Sequence, residues 1–313
     1  MKKIFLYLSL LLLTLGIMLG SFSSITYATG ADFSVAPILP DNQVGDASYF
    51  DILVAPGKTY PLNLQVRNQS DQVKTLHIAL NPAHTNLYGQ LDYQNKTVNK
   101  LSGPNLPDLL TGKEEVRLEP NETKIITYQL TLPKEAFSGV LIGAFVIQDT
   151  TKKAETDGIK NQFVYQIGLK VREETAKAKA QLTFTNLRIK DEQLYIDVKN
   201  NSAGDLSQVA FSGTLSGKMS DQFSQKLSLV PYSKATLILP FTKLQAGDYQ
   251  LKLNVATSET HYQKNFRLVE QDGQLHLKSK VTPILIASLL LVGLLIIGGS
   301  IFIFFWQRQK KEA

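Results

Sequence analysis

The sequence predicts an all-β protein: two tandem immunoglobulin-like β-sandwich domains followed by one C-terminal transmembrane helix. Three observations predict it. Apolar residues between positions 29 and 280 recur with period two rather than 3.6. These alternating runs fall into two sets, separated by a charged, alanine-rich stretch at Glu173–Ala180. Ile284–Phe305 carries no charge at all.

In the first set, Tyr60, Leu62, Leu64 and Val66 alternate with polar neighbours. So do Leu76, Ile78 and Leu80; Ile126, Tyr128, Leu130 and Leu132; and Tyr165, Ile167, Leu169 and Val171. A sheet with one face on a core and one in water gives this pattern. Val140–Ile147 is continuously apolar, as expected of a strand buried on both faces. The second set runs through Leu182 and Phe184; Leu194, Ile196 and Val198; Val209, Phe211 and Leu215; and Phe223, Leu227 and Leu229. It closes with Leu237 and Leu239; Tyr249, Leu251, Leu253 and Val255; and Phe266 and Leu268. Seven short strands with turn residues between them fit an immunoglobulin-like sandwich.

The two halves echo one another. Val66-Arg67-Asn68-Gln69-Ser70 resembles Val198-Lys199-Asn200-Asn201-Ser202, and Leu118-Glu119-Pro120 resembles Leu229-Val230-Pro231. Leu132-Pro133 and Leu239-Pro240 follow in the same order. The spacing differs mainly between the first two marks, so the first half carries an insertion, placed roughly over Asn81–Lys113 and rich in Asn, Gly, Pro and Tyr. A long loop on a rigid sandwich is a binding element or a disordered excursion.

Both ends point at a membrane. Met1–Ala28 reads as a signal peptide, with Lys2 and Lys3 ahead of apolar Ile4–Leu19 and a small-residue cut site at Thr26-Tyr27-Ala28; an uncleaved anchor is the alternative. At 1.5 Å per residue, the uncharged segment Ile284–Phe305 spans about 33 Å, close to the thickness of a bilayer core. Trp306 is an interfacial anchor, and Arg308, Lys310 and Lys311 hold the tail inside. The expected organisation is therefore a signal peptide (1–28), a first sandwich (29–176), a second sandwich (177–270), a polar stalk (271–280), a transmembrane helix (281–306) and a cytoplasmic tail (307–313). The ectodomain lies outside the cell membrane, N-terminus out.

Charge and chemistry narrow the function. The net charge of +6 comes largely from the two ends: residues 29–176 sum to −3 and residues 177–280 to +5. No basic face for nucleic acid is implied. There is no cysteine, hence no disulfide framework or thiolate metal site. The four histidines lack the HExxH spacing, and no G-x-S-x-G elbow appears. The adjacent carboxylates Glu114-Glu115, Glu173-Glu174 and Asp191-Glu192 would point to opposite faces of a strand. The pattern calls for no catalytic residues, no cofactor and no metal. His84, in the inserted loop, is a ligand contact or an ordinary loop histidine.

Several pieces in a fixed order carry a resemblance. They are Phe33-Ser34-Val35, Tyr49-Phe50-Asp51-Ile52, Val66-Arg67-Asn68, Ala83-His84-Thr85-Asn86-Leu87-Tyr88-Gly89-Gln90-Leu91-Asp92-Tyr93, Phe137-Ser138-Gly139-Val140-Leu141-Ile142-Gly143 and Tyr165-Gln166-Ile167-Gly168-Leu169. Together they resemble the WxL-interacting proteins of Gram-positive bacteria, over nearly the whole chain and most closely from residue 33 to 172. The resemblance implies that the first domain binds peptidoglycan, that the second binds host ligands such as extracellular-matrix proteins, and that WxL-domain surface proteins are partners. It implies no catalytic residue.

Sugars are held by amide and hydroxyl hydrogen bonds and by aromatic faces. The segment Thr85, Asn86, Tyr88, Gln90 and Tyr93 supplies all three within nine residues, with Gly89 as the turn residue. Those five side chains are the candidate glycan contacts; the alternative for each is a role in the turn or in packing. The function expected is a non-enzymatic, membrane-anchored surface scaffold or adhesin component. Two rivals stand beside it: an extracellular wall-polymer hydrolase, and a protein-capture module that binds by strand addition.

Overall fold

A computed structural model describes residues 32–97, 101–151, 163–175, 179–257 and 261–277. The expected signal peptide, transmembrane helix and basic tail lie outside the described residues. Among the described residues no helix is long and apolar enough to cross a membrane.

The described chain is all β, with one 3-10 turn at Leu106–Leu109. The first sandwich packs two sheets. One has the order β1 (Phe33–Ile38), β3 (Thr59–Asn68), β9 (Thr123–Thr131), β7 (Leu110–Thr111). The other has the order β2 (Phe50–Leu53), β11 (Val164–Arg172), β10 (Val140–Asp149), β4 (Lys74–Pro82), β8 (Glu115–Leu118). A two-stranded hairpin, β5 (His84–Thr85) and β6 (Leu91–Asp92), rises from the predicted insertion. The alternating positions of β3 and β9 meet those of β10 and β11 in one core around Phe33, Phe50, Leu62, Leu64, Tyr128 and Phe145.

The second sandwich repeats the topology. Its sheets run β12 (Leu182–Lys190), β13 (Gln193–Asn200), β16 (Ser233–Leu239), and β15 (Asp221–Leu229), β14 (Leu206–Gly217), β17 (Gly247–Ala256), β18 (His261–Gln271), β19 (Gln274–Leu277). Strands β12, β13, β14, β15, β16, β17 and β18 occupy the places of β1, β3, β4, β8, β9, β10 and β11. This is the Greek-key order of immunoglobulin-like domains. The stalk expected over 271–280 is corrected for its first seven residues. Asp272 and Gly273, both at positive φ, make a tight two-residue turn, and Gln274–Leu277 pairs back on β18 as an eighth strand. Its partner edge in the first sandwich is covered differently, by β2 running parallel to β11.

The sequence echo is a hydrogen-bonded device. Asn68 and Asn200 are both fully buried at the ends of equivalent strands. The Asn68 amide donates to Gln72 O (2.8 Å) and Glu119 O (2.9 Å), while its Oδ1 accepts from Ser70 N and Oγ. The Asn200 amide donates to Gly204 O (2.7 Å) and Val230 O (3.3 Å), while its Oδ1 accepts from Ser202 N and Oγ. Each asparagine pins one turn to the loop carrying the Leu-x-Pro echo.

One buried ion pair sets a pH limit. Lys74 is buried and bridges Asp149 (2.8 Å) and Asp32 (3.4 Å). Burial pushes the Asp149 carboxyl up, but hydrogen bonds from Lys74 and Thr151 outweigh it and hold it below the ordinary value. A carboxyl depressed in the folded state stabilises the fold above its unfolded pKa of about 3.9 and loses that stabilisation as pH falls through its folded value. Melting temperature should therefore decline below about pH 4, and Asp149→Asn should remove part of that acid-dependent decline while lowering the plateau. An acid decline identical in parent and variant would contradict this role.

Candidate functional site: a cleft between the two sandwiches

The inserted hairpin is locally determined. Asn86 Oδ1 accepts from the backbone N of Tyr88 and of Gln90, both at 3.0 Å, an Asx-type turn. Gly89, at φ +75°, donates to Asn86 O at 3.0 Å. The hairpin does not project into water. Thr85 Oγ1 donates to Ser228 O (2.9 Å), Ser228 N donates to Gly89 O (2.7 Å), and Ile238 N donates to Leu87 O (2.8 Å). It thus lies across β15 and β16 of the second sandwich. A Cβ on Gly89 would meet Leu227 Cδ1 at 2.8 Å, so glycine serves the turn and the contact at once.

Three further contacts join the domains. Ala83, Ile142 and Val230 form a small buried cluster, with Leu91, Tyr93 and Val140 against it. The outward-facing Ile142 is therefore buried by the second domain, which accounts for part of the continuous apolar run of β10. Lys170 and Asp205 form an ion pair at 2.9 Å, both largely shielded from water. At Gly139, φ +86°, an added Cβ would fall 2.4 Å from Ala203 O.

Between these contacts lies a cleft of about 420 Å³, within the usual size range of ligand sites. The first domain contributes Tyr49, Gln90, Tyr93 and the backbone at Gly168; the second contributes Ser207, Gln208 and Ser228. A Cβ added at Gly168 would just reach Tyr49, 3.5 Å from its Cβ and Cγ, so the glycine leaves open the space beside that side chain. Burial, then the nearby Tyr49 and Asp205, raise the Tyr93 hydroxyl to about 12, so it stays protonated and can donate. Lys170 on the cleft wall is neutralised by Asp205 and also reaches Ser207 Oγ at 3.4 Å.

The five sequence-predicted contacts separate. Gln90 and Tyr93 line the cleft. Tyr88 is 64% exposed beside it in sequence. Thr85 and Asn86 have their side chains engaged within the protein, by Ser228 and by the turn itself. His84 is half-buried in β5, and its Nε2 has no partner among the described residues. Sequence reasoning missed Tyr49, Lys170, Ser207, Gln208 and Ser228. Tyr49 and Gly168 both lie in recognisable motifs, but only the fold brings them together. Among the described residues no three metal-ligating side chains cluster.

The tandem sandwiches and the cleft define a two-domain binding protein. Residues 33–149 match the WxL Interacting Protein peptidoglycan binding domain, and residues 154–275 match the WxL Interacting Protein host binding domain. The chain belongs to the WxL-interacting protein family, and its domains have a binding role at the cell surface. The second match begins ahead of β11, which the sheet pairs with β10 and β2 in the first sandwich. No curated protein matches the chain. Among solved structures, a chaperone–tip adhesin complex of CFA/I fimbriae is 11% identical at TM-score 0.37, covering 79% of this chain and 99% of that one. The class 5 fimbriae chaperone CfaA is 10% identical at TM-score 0.35, with the same coverage. The E. coli chaperone DraB is 14% identical at TM-score 0.32, covering 74% and 98%.

Proposed function

We propose that the chain is a non-enzymatic scaffold of the Gram-positive surface, anchored by residues 281–306, with both sandwiches outside. It touches peptidoglycan through the first domain and WxL-domain proteins, and host extracellular-matrix proteins, through the assembled pair. The single observation that carries this reading is the tandem match of a peptidoglycan-binding and a host-binding domain on one chain. The uncharged segment Ile284–Phe305 follows them and suits a membrane anchor. Within the first domain, Gln90, Tyr93 and Tyr88 supply amide, hydroxyl and ring contacts to glycan, while Thr85, Asn86 and Gly89 hold the hairpin that presents them.

The surface placement has a direct test on intact cells. Protease added outside should remove the two sandwiches and leave an epitope fused after Ala313 protected. An untouched protein, or a digested C-terminal epitope, would contradict the proposed topology.

A further inference from the structure

We propose that the interdomain cleft is a saccharide subsite built by both domains, taking one or two N-acetylated pyranose rings of a wall glycan strand. This rests on the glycan-binding reading above and adds that the second domain supplies half of the site.

Three features point this way. First, the cleft offers the mixed chemistry such a ring requires: aromatic surface from Tyr49 and Tyr93, amides from Gln90 and Gln208, and apolar Leu91 and Ile142 for an acetamido methyl group. Second, Lys170 is already neutralised by Asp205. The cleft therefore suits an uncharged ligand, whose binding would change little with salt. Third, the second domain places Gln208 in the cleft by an irregular piece of backbone. The pairing of β14 with β15 shifts register between Leu206 and Val209, and Gln208 sits at φ +55°. A bulge re-aims a side chain, and a non-glycine residue in that region is strained. Gln208 N and Nε2 both donate to Ser228 Oγ, at 3.0 and 3.2 Å, which fixes the side chain at the cleft wall. The hairpin bonded to Ser228 is the one that carries Gln90, so both walls are set by the same contact.

The test uses the full chain in detergent micelles. A soluble, uncharged tetrasaccharide of four β-1,4-linked N-acetylglucosamine rings is titrated by calorimetry, with pelleting on intact sacculi in parallel. Tyr49→Ala should weaken tetrasaccharide binding about fivefold, the loss of one aromatic face. Tyr49→Phe, which keeps the ring, should retain binding. Gln208→Asn shortens the amide at a backbone conformation that asparagine tolerates, and should weaken binding about threefold, one hydrogen bond of ordinary strength. Melting curves matching the parent confirm the fold of each variant, and Gln208→Asn decides the matter if Tyr49→Ala does not fold. Tetrasaccharide binding unchanged by Gln208→Asn would overturn the two-domain subsite, with the glycan reading intact. Pelleting on sacculi without tetrasaccharide binding would also overturn the cleft alone. Binding to neither ligand would overturn the glycan reading itself.

Discussion

Asn68→Ala should lower the stability of the first sandwich by about 2–4 kcal/mol, and Asn200→Ala should do the same to the second. Each amide is fully buried and donates to two backbone carbonyls while accepting from a serine N–H and hydroxyl. Truncation removes four hydrogen bonds made by each buried side chain, and each such bond contributes about 0.5–1.5 kcal/mol net. Aspartate is no rescue, because it presents an oxygen where the carbonyls need a donor. The exposed neighbour Asn201, whose side chain donates to Thr183 Oγ1 at the surface, is the control; Asn201→Ala should cost less than about 0.5 kcal/mol. Calorimetry of all three variants checks this. Asn68→Ala or Asn200→Ala melting like the parent would refute the claim that these turns pin the sandwiches.

Gly139→Ala should part the two sandwiches without unfolding either. The new Cβ would lie 2.4, 2.8 and 2.9 Å from Ala203 O, Cβ and Cα. These atoms are backbone or tied to it, so no flexible side chain can yield. The φ of +86° adds about 1–2 kcal/mol of strain for a residue with a Cβ. The least costly response is for the domains to separate at this point, since each keeps its own core. The amides of Ser228 and Ile238, which donate to the hairpin, should then exchange with solvent at least tenfold faster, a loss of about 1.4 kcal/mol of local protection. Protection unchanged at both amides would show that the interface tolerates the substitution. Any ligand gripped by both walls of the cleft should be lost with it.

The fold was legible where one physical rule governs. Period-two alternation located β3, β4, β9, β11 and the strands of the second half, because each has one face on a core. The Asn-x-Ser echo was legible as a repeat but not as a mechanism, since its partners lie 51 and 30 residues away. The eighth strand of the second sandwich was missed because Gln274–Leu277 is short and mostly exposed, and the single pair Leu275 and Leu277 is too brief an alternation to mark a strand. The inserted loop was legible as a special element from its Asn, Gly and Tyr content. Its destination was not, because the backbone of Leu87 and Gly89 bonds the second domain and backbone bonding leaves no trace in composition. Tyr49 and Gln208 are 159 positions apart and meet only through domain docking.

Wall attachment is tested most directly by co-sedimentation of residues 29–280 with purified peptidoglycan sacculi, at low salt and at about 1 M, where charge interactions are screened beyond about 3 Å. The geometry of a neutralised, aromatic and amide-lined cleft predicts pelleting that persists at high salt and is weakened by Gln90→Ala. Absence of pelleting, or pelleting abolished by salt, would contradict it.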